Sequence, residues 1–218
     1  AAASTQQHFL RIQGAGQDHK LASSMSAGKR VAVTLDVKPG ITCGADLTSQ
    51  ATACMQTANG LRFDGDVLAR DTEVTGHPIV SLWMSSNNPD QNVFAYLEDV
   101  APDGTSRMVT DGRLKARLRA QARPPYEFLG LPWHRSLESD DAPLVENQLV
   151  KLDFDMLPAS HVFRKGHRWR LTVTGSDSRE RFPGPTGSKL VIYSDAMHPS
   201  VLKLPVGAIP SARQMAAQ

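Results

Sequence analysis

Cysteine is almost absent. The 218-residue chain has two, Cys43 and Cys54. A C-x10-C pair offers too few ligands for a structural zinc site. No HExxH or paired histidine motif adds any, so the sequence predicts no metal and no cofactor. No apolar run reaches bilayer-spanning length, which predicts no membrane segment. The N-terminal AAASTQQHF has no charged region followed by an apolar one. It therefore does not read as an intact signal peptide, although it suits the cut end of something longer. Charge of one sign is lacking too: 24 basic and 22 acidic side chains leave a net charge of +2. That balance predicts no general attraction to nucleic acid or to an anionic membrane. The basic runs Arg113–Arg123 and Arg164–Arg170 form no coherent patch with interleaved aromatics, as a nucleic-acid surface requires. A G-x-S-x-G nucleophile elbow is missing. SMSAG at 24–28 has Ser24 in place of the first glycine and precedes a strand instead of following one. SDAMHPS at 194–200 holds Ser, Asp and His, but residue types without geometry are not a triad. The sequence thus predicts no catalytic residue in this chain. Repeats of solenoid length are absent, and only 45–58 looks even weakly helical.

What the sequence has in quantity is alternation. In RVAVTLDV, Val31, Val33, Leu35 and Val37 share one face. In RLKARLRA, Leu114, Ala116 and Leu118 alternate with basic residues; in VKLDFDM, Val150, Leu152, Phe154 and Met156 alternate with Lys151, Asp153 and Asp155. Period two predicts half-buried strands. Further strands are predicted at 78–86, 92–100, around 106–111 and at 189–194, with NNPD, PDG, RPP and PGPTG as turns between them. Many short strands separated by turns predict an all-β sandwich or barrel. Length and pattern predict one domain over 1–218, with a long surface loop at 41–60 and a frayed tail at 207–218. Acidic Asp153 and Asp155 are expected to answer the 113–123 basic run across a sheet.

The segment HVFRKGHRWRLTVTGSD at 161–177 concentrates two histidines and four basic residues. As a strand it points Trp169, Leu171 and Val173 inward and Arg168, Arg170 and Thr172 outward. Arg164–Gly166 is then a turn separating His161 from His167. Trp83 and Trp169, both in predicted strands, are expected in or beside the core. Trp133 differs. It sits beside His134 in the polar, proline-containing loop GLPWHRSLESDDAPL, where an aromatic lines a pocket or plugs a domain interface. Cys43 and Cys54 lie in a stretch rich in Gly, Thr, Ser and Ala, and two readings stand: a loop-stapling disulfide or two free thiols. Compartment is undetermined; a disulfide would favour a periplasmic or extracellular setting.

The order of segments resembles a known family. LRFDGDVLARDTEVTGHPIVSLWMSS is followed by NVFAYLEDVAPDGTSRMVTDGRLKARLR, LPWHRSLESDDAPL, VKLDFDMLPASHVFRKGHRWRLTVTGSD and YSDAMHPSVLKLPV. This series is similar to the C-terminal domain of the X-Pro dipeptidyl-peptidase, cocaine esterase and α-amino-acid ester hydrolase (CocE/NonD) family. The resemblance is strongest over 61–206, and residues 9–37 look like lead-in strands. Its most specific pieces are D-x-x-V-T-G at Asp71–Gly76, the LEDV-x-PDG hairpin, the LP-x-S-x-VF-x-x-GHR block at Leu157–Arg168, and HPS-x-L-x-LPV near the end. The resemblance implies a jelly-roll β-sandwich of galactose-binding-domain-like type. It also implies packing against an α/β-hydrolase catalytic domain, in the same or a companion chain, that carries the triad. Support of the fold, shaping of a pocket entrance and homo-oligomer contacts are further implied. No residue here matches a triad position. Residues 41–60, ITCGADLTSQATACMQTANG, depart from the shorter connection typical of relatives.

The favoured expectation is therefore a non-catalytic module of a serine hydrolase that cleaves acyl esters, amides or X-Pro dipeptides. The loop Leu131–Leu144, with Trp133 and His134, is the candidate domain interface or pocket. A free-standing sandwich that binds a carbohydrate or other ligand is the alternative, and an enzyme in its own right is a third.

Overall fold

The computed structural model describes residues 4–13, 18–25, 31–39, 59–177 and 184–207. Thirteen strands run in chain order: β1 Ser4–Arg11, β2 His19–Ala22, β3 Val31–Asp36, β4 Leu61–Asp64, β5 Thr72–Gly76, β6 Ile79–Ser86 and β7 Asn92–Val100. They continue with β8 Ser106–Lys115, β9 Val150–Asp155, β10 Ala159–Phe163, β11 Arg168–Thr174, β12 Lys189–Ser194 and β13 Val201–Gly207. Short 3-10 turns are the only helical elements among the described residues.

Hydrogen bonds link the strands in the order β3-β12-β6-β13-β1-β2-β4-β11-β7-β8; β9 adds to β6, and β5 joins β13 to β10. Every pairing is antiparallel except β2 with β4. The chain crosses between layers along β1. Its first part pairs with β13 from Ser4 to Phe9, and its last part pairs with β2 from Phe9 to Arg11. The sheet can thus fold back on itself, and its two halves share one core. Val80, Leu82 and Met84 of β6, Leu152 and Phe154 of β9, and Leu190 and Ile192 of β12 come from one side. Ala95 and Leu97 of β7, Trp169, Leu171 and Val173 of β11, and Phe63 of β4 join them. This is the predicted all-β jelly-roll sandwich, and alternation chose its inward face. Each large side chain removed from water here contributes about 1.5–3 kcal/mol.

The PDG turn forms as expected. Gly104 takes φ 87° and donates to Ala101 O at 2.9 Å, and the Asp103 carboxylate accepts from the Thr105 N–H at 2.9 Å.

Three expectations are corrected. The RLKARLRA strand ends at Lys115, because its partner β7 begins at Asn92 and the ladder has no further rungs. Ala116–Leu118 turns away as a 3-10 turn. Thr172 does not face water: it is fully buried and donates to the Glu98 carboxylate, while Arg170 is paired with Asp64. The outer face of β11 is polar but covered, which alternation alone cannot distinguish from a wet one. Finally, Asp153 is held by Ser81, Lys151 and Gln121, and Asp155 by His77, with no ion pair to the 113–123 run among the described residues. The basic run instead meets Asp90 and Asp141 through Lys115 and Arg117. The 41–60 loop up to residue 58, the weak helix at 45–58, both cysteines and the tail from 208 lie outside the described residues; Gly207 belongs to β13.

Gly112 lies where β8 passes close to the end of β9. A Cβ there would lie 2.6 Å from Asp155 O and 2.9 Å from Met156 Cα, both backbone atoms. Gly104, by contrast, has open space and only its positive φ. Urea unfolding should therefore show Gly112→Ala losing about 2–3 kcal/mol by overpacking. Gly104→Ala should lose about 1 kcal/mol from φ strain alone. Equal losses would mean that the β8–β9 contact is not tight.

Candidate functional site

Between β8 and β9 the chain makes a long excursion without strands. Prolines at 124, 125, 132 and 143 deny it ladder N–H groups. Its base is tied shut. The Arg117 guanidinium pairs with Asp141, Ala142 N donates to Arg117 O at 2.9 Å, and Arg119 Nη1 donates to Ala142 O at 2.6 Å. Leu144 is buried in the core and donates its N–H to Pro89 O at 3.1 Å.

His134 is the strut of this loop. Its Nδ1 lies 3.1 Å from Ala120 O and its Nε2 lies 2.9 Å from Asp153 O on β9. Both partners are backbone carbonyl oxygens, one in the loop and one on the strand, so the ring spans the gap between them. β9 pairs with β6 alone among the described residues, so this contact helps cover a strand that would otherwise end the sheet.

Trp133 lies outside the core cluster and is half-buried. Its backbone carbonyl accepts from Ala122 N at 3.0 Å, and its ring meets Tyr126 edge-on at 6.2 Å. Tyr126 in turn meets Phe128 at 5.9 Å. The next residues form a tight turn: Leu131 N donates to Phe128 O at 2.9 Å, with Leu129 at φ 54° and Gly130 at φ 68°. Positive φ at both central positions suits Asn or Gly, and a leucine there is strained by about 1 kcal/mol. That strained leucine is 75% exposed, with Tyr126 at 57% and Leu137 at 53%. The sequence singled out Trp133 and His134; the structure sets them to different tasks and adds Tyr126, Phe128 and Leu129. The Leu-Gly pair at 129–130 was the available signal for an unusual turn.

A second constellation was not foreseen. His161 and His167 flank the Arg164–Gly166 turn as predicted, yet they converge on one carboxylate. His161 Nε2 lies 2.8 Å from Asp99 Oδ2, and His167 Nδ1 lies 2.8 Å from Asp99 Oδ1. Asp99, on β7, is 9% exposed. Burial acts to raise its pKa, but the two imidazole hydrogen bonds outweigh burial and hold it below the usual carboxylate value. The His161 ring continues edge-on into Phe163 at 4.8 Å, and Phe163 meets buried Trp169 at 6.0 Å. The clasp therefore binds β7, β10 and the start of β11. Nearby, Asp71 anchors the turn by accepting from Lys165 N at 2.7 Å.

The other sequence candidates are plainly placed. Asp195 accepts from Met197 N and His198 N, each at 2.8 Å, so SDAMHPS is a hydrogen-bonded turn. Trp83 is half-buried on the outer face of β6, edge-on to His198 at 4.8 Å. Cys43 and Cys54 lie outside the described residues. Among the described residues no group of three or more metal-ligating side chains occurs, and no helix is long and apolar enough to cross a membrane.

Comparison with known proteins decides the kinship. The sequence profile of the X-Pro dipeptidyl-peptidase C-terminal non-catalytic domain matches residues 4–203. The chain belongs to this family. Proteins of Mycobacterium bovis and Mycobacterium tuberculosis, provisionally named serine esterases, are 36% identical over 154 residues, 69% of this chain and 24% of theirs. The cocaine esterase of a Rhodococcus species is 27% identical over 161 residues, 67% of this chain and 25% of the esterase. This chain thus spans about a quarter of the length of these relatives. Among solved structures, a CocE/NonD family hydrolase from Staphylococcus aureus superposes with a TM-score of 0.72 at 16% identity, covering 95% of this chain and 37% of that one. An α-amino acid ester hydrolase superposes at 0.68 with 19% identity, covering 93% and 36%. At those identities the superpositions speak for the fold.

The clasp makes a testable claim. Asp99→Asn removes a buried anion that two histidines hold, and at pH 7 urea unfolding should show a loss of about 2–3 kcal/mol. Because the folded pKa is depressed, the stabilisation is complete above the unfolded value of about 3.9 and is lost as pH falls through the folded value. The gap between wild type and variant should therefore close below about pH 4. A constant gap from pH 7 to pH 3 would contradict it.

Proposed function

We propose that residues 1–218 act as one β-sandwich module of a serine hydrolase, packing against and supporting an α/β-hydrolase domain that carries the catalytic residues. The cocaine esterase among the relatives supports an ester as the parent substrate class, and the family description equally supports an X-Pro dipeptide. The observation that carries the docking part is the turn at Phe128–Leu131. A strained leucine is held in solvent beside Tyr126 and Trp133, at a cost to the module itself. Exposed apolar groups of this kind suit a partner surface. The loop Leu131–Leu144 then forms the docking element, with Trp133 in the contact and His134 holding the loop in place from below.

One observation favours the alternative, a free-standing carbohydrate-binding sandwich. Trp83 and Tyr193 are cross-strand neighbours on the outer face of β6 and β12, with Lys151 beside them on β9. Aromatic rings flanked by polar groups are what a sugar platform needs.

Two substitutions separate the docking role from internal support. Leu129→Asn relieves the turn and should raise the isolated chain's stability by about 1 kcal/mol. Leu129→Asp combined with Trp133→Asp should weaken association with a separately expressed α/β-hydrolase domain of the family at least tenfold in calorimetric titration. Undiminished association would refute the docking surface. The chain alone should not turn over p-nitrophenyl acyl esters.

A further inference from the structure

β1 and β2 join the two halves of the sheet, and each has a histidine at a core position. On β1 the buried residues are His8 and Leu10; on β2 they are His19 and Leu21. His8 is 8% exposed and His19 5%. Their cross-strand partners are apolar and buried: Leu202 on β13 stands opposite His8, and Phe63 on β4 stands opposite His19.

Neither ring is placed to carry a second proton. His8 Nε2 is buried and has no hydrogen-bond partner among the described residues. Its ring packs edge-on against Trp169 at 4.8 Å. The Trp169 indole N–H is equally unpartnered, and the Gly65 backbone crowds it: a Cβ at Gly65 would lie 2.4 Å from Nε1. His19 Nδ1 accepts the Gln13 N–H at 3.3 Å, so a proton on that nitrogen would set two N–H groups against each other. The other side of the His19 ring is occupied by Phe63, with ring centres 5.1 Å apart.

Neighbouring charges do not offset this. Within the pair, Arg11 and Lys20 sit on the opposite face from the histidines. Lys203 on β13, Arg62 and Asp64 on β4, and Arg168 and Arg170 on β11 also alternate with the inward residues and face away. Asp66 acts on His8 and Asp18 on His19, each favouring the charged ring, but burial outweighs them and holds both histidines below their ordinary pKa.

We infer that the β1–β2 pair is an acid-released clip, held in the sandwich by the neutral rings of His8 and His19 and let go when those rings must take up protons. In the released form water solvates both imidazolium groups. Release breaks the ladder between β13 and β4 but leaves β3-β12-β6-β13 and β4-β11-β7-β8 intact. The attached form binds fewer protons. Attachment is therefore complete above the unfolded histidine pKa of about 6.5 and weakens as pH falls below it. Each histidine costs up to about tenfold in the attachment equilibrium per pH unit. The Asp99 clasp responds only below about pH 4, so the two windows are separate.

Hydrogen exchange of the full chain at pH 7 and pH 5, corrected for intrinsic rates, tests the clip. Amide protection at residues 9–11 and 20–22 should fall by at least about tenfold at pH 5, while residues 93–97 of β7 keep theirs. His8→Phe combined with His19→Asn should remove the fall. Phenylalanine takes up no proton, and the asparagine Oδ1 replaces Nδ1 as acceptor for the Gln13 N–H. Each single substitution should remove about half of the fall on a logarithmic scale, so one that does not fold leaves the other to decide. Equal protection of β1 and β2 at the two pH values would overturn the inference. So would an equal loss in β7, which means global unfolding, or an undiminished loss in the double variant, which assigns it to other groups.

Discussion

A sheet with one apolar face must cover that face, and here one hydrogen-bonded sheet covers itself. β1 makes this possible by pairing with β13 at its start and with β2 at its end, so the chain changes layer without breaking its backbone ladder. Much else follows from that fold-back. Val80, Leu82 and Met84 meet the side chains of β7 and β11 because the two halves are one sheet bent over a shared core. The ladder still has ends. The histidine-anchored loop shields the β9 side, and residues of β8 and β10 line a cleft.

Polar groups inside such a sandwich survive only when they are partnered, and β7 shows how. Its Glu98 accepts from Thr172 and Ser106, and its Asp99 is gripped by two histidines from a distant part of the chain. The histidines come from the segment that carries the most specific part of the family resemblance. That segment was read as strand and turn, and so it is. Its histidines serve architecture, clamping β10 and the start of β11 to β7.

The loop between β8 and β9 has the opposite character. It is closed at its base by ion pairs and backbone bonds, and it spends that rigidity on holding Leu129 and its aromatic neighbours in water. A module concerned only with its own stability would place Asn or Gly at a left-handed turn position. The proposed docking role accounts for that cost, in a chain that belongs to a non-catalytic domain family and is about a quarter as long as its relatives.

Alternation by itself determined the strands at 31–36 and 150–155 and their inward faces, because period two is a local property of the backbone, and the turn residues between them marked the strands at 79–86, 92–100 and 189–194 without fixing their faces. It placed Trp169, Leu171 and Val173 in the core and set Trp133 apart in a proline-containing loop. It misjudged Thr172, because burial of an outer face depends on what lies above it. It ended β8 too late, because a strand stops where its partner does. Tertiary structure alone decided that His161 and His167 share Asp99, and that His134 is a strut while Leu129 is the exposed tip. Each of these depends on residues far apart in the chain or on a backbone angle, and no local pattern encodes either.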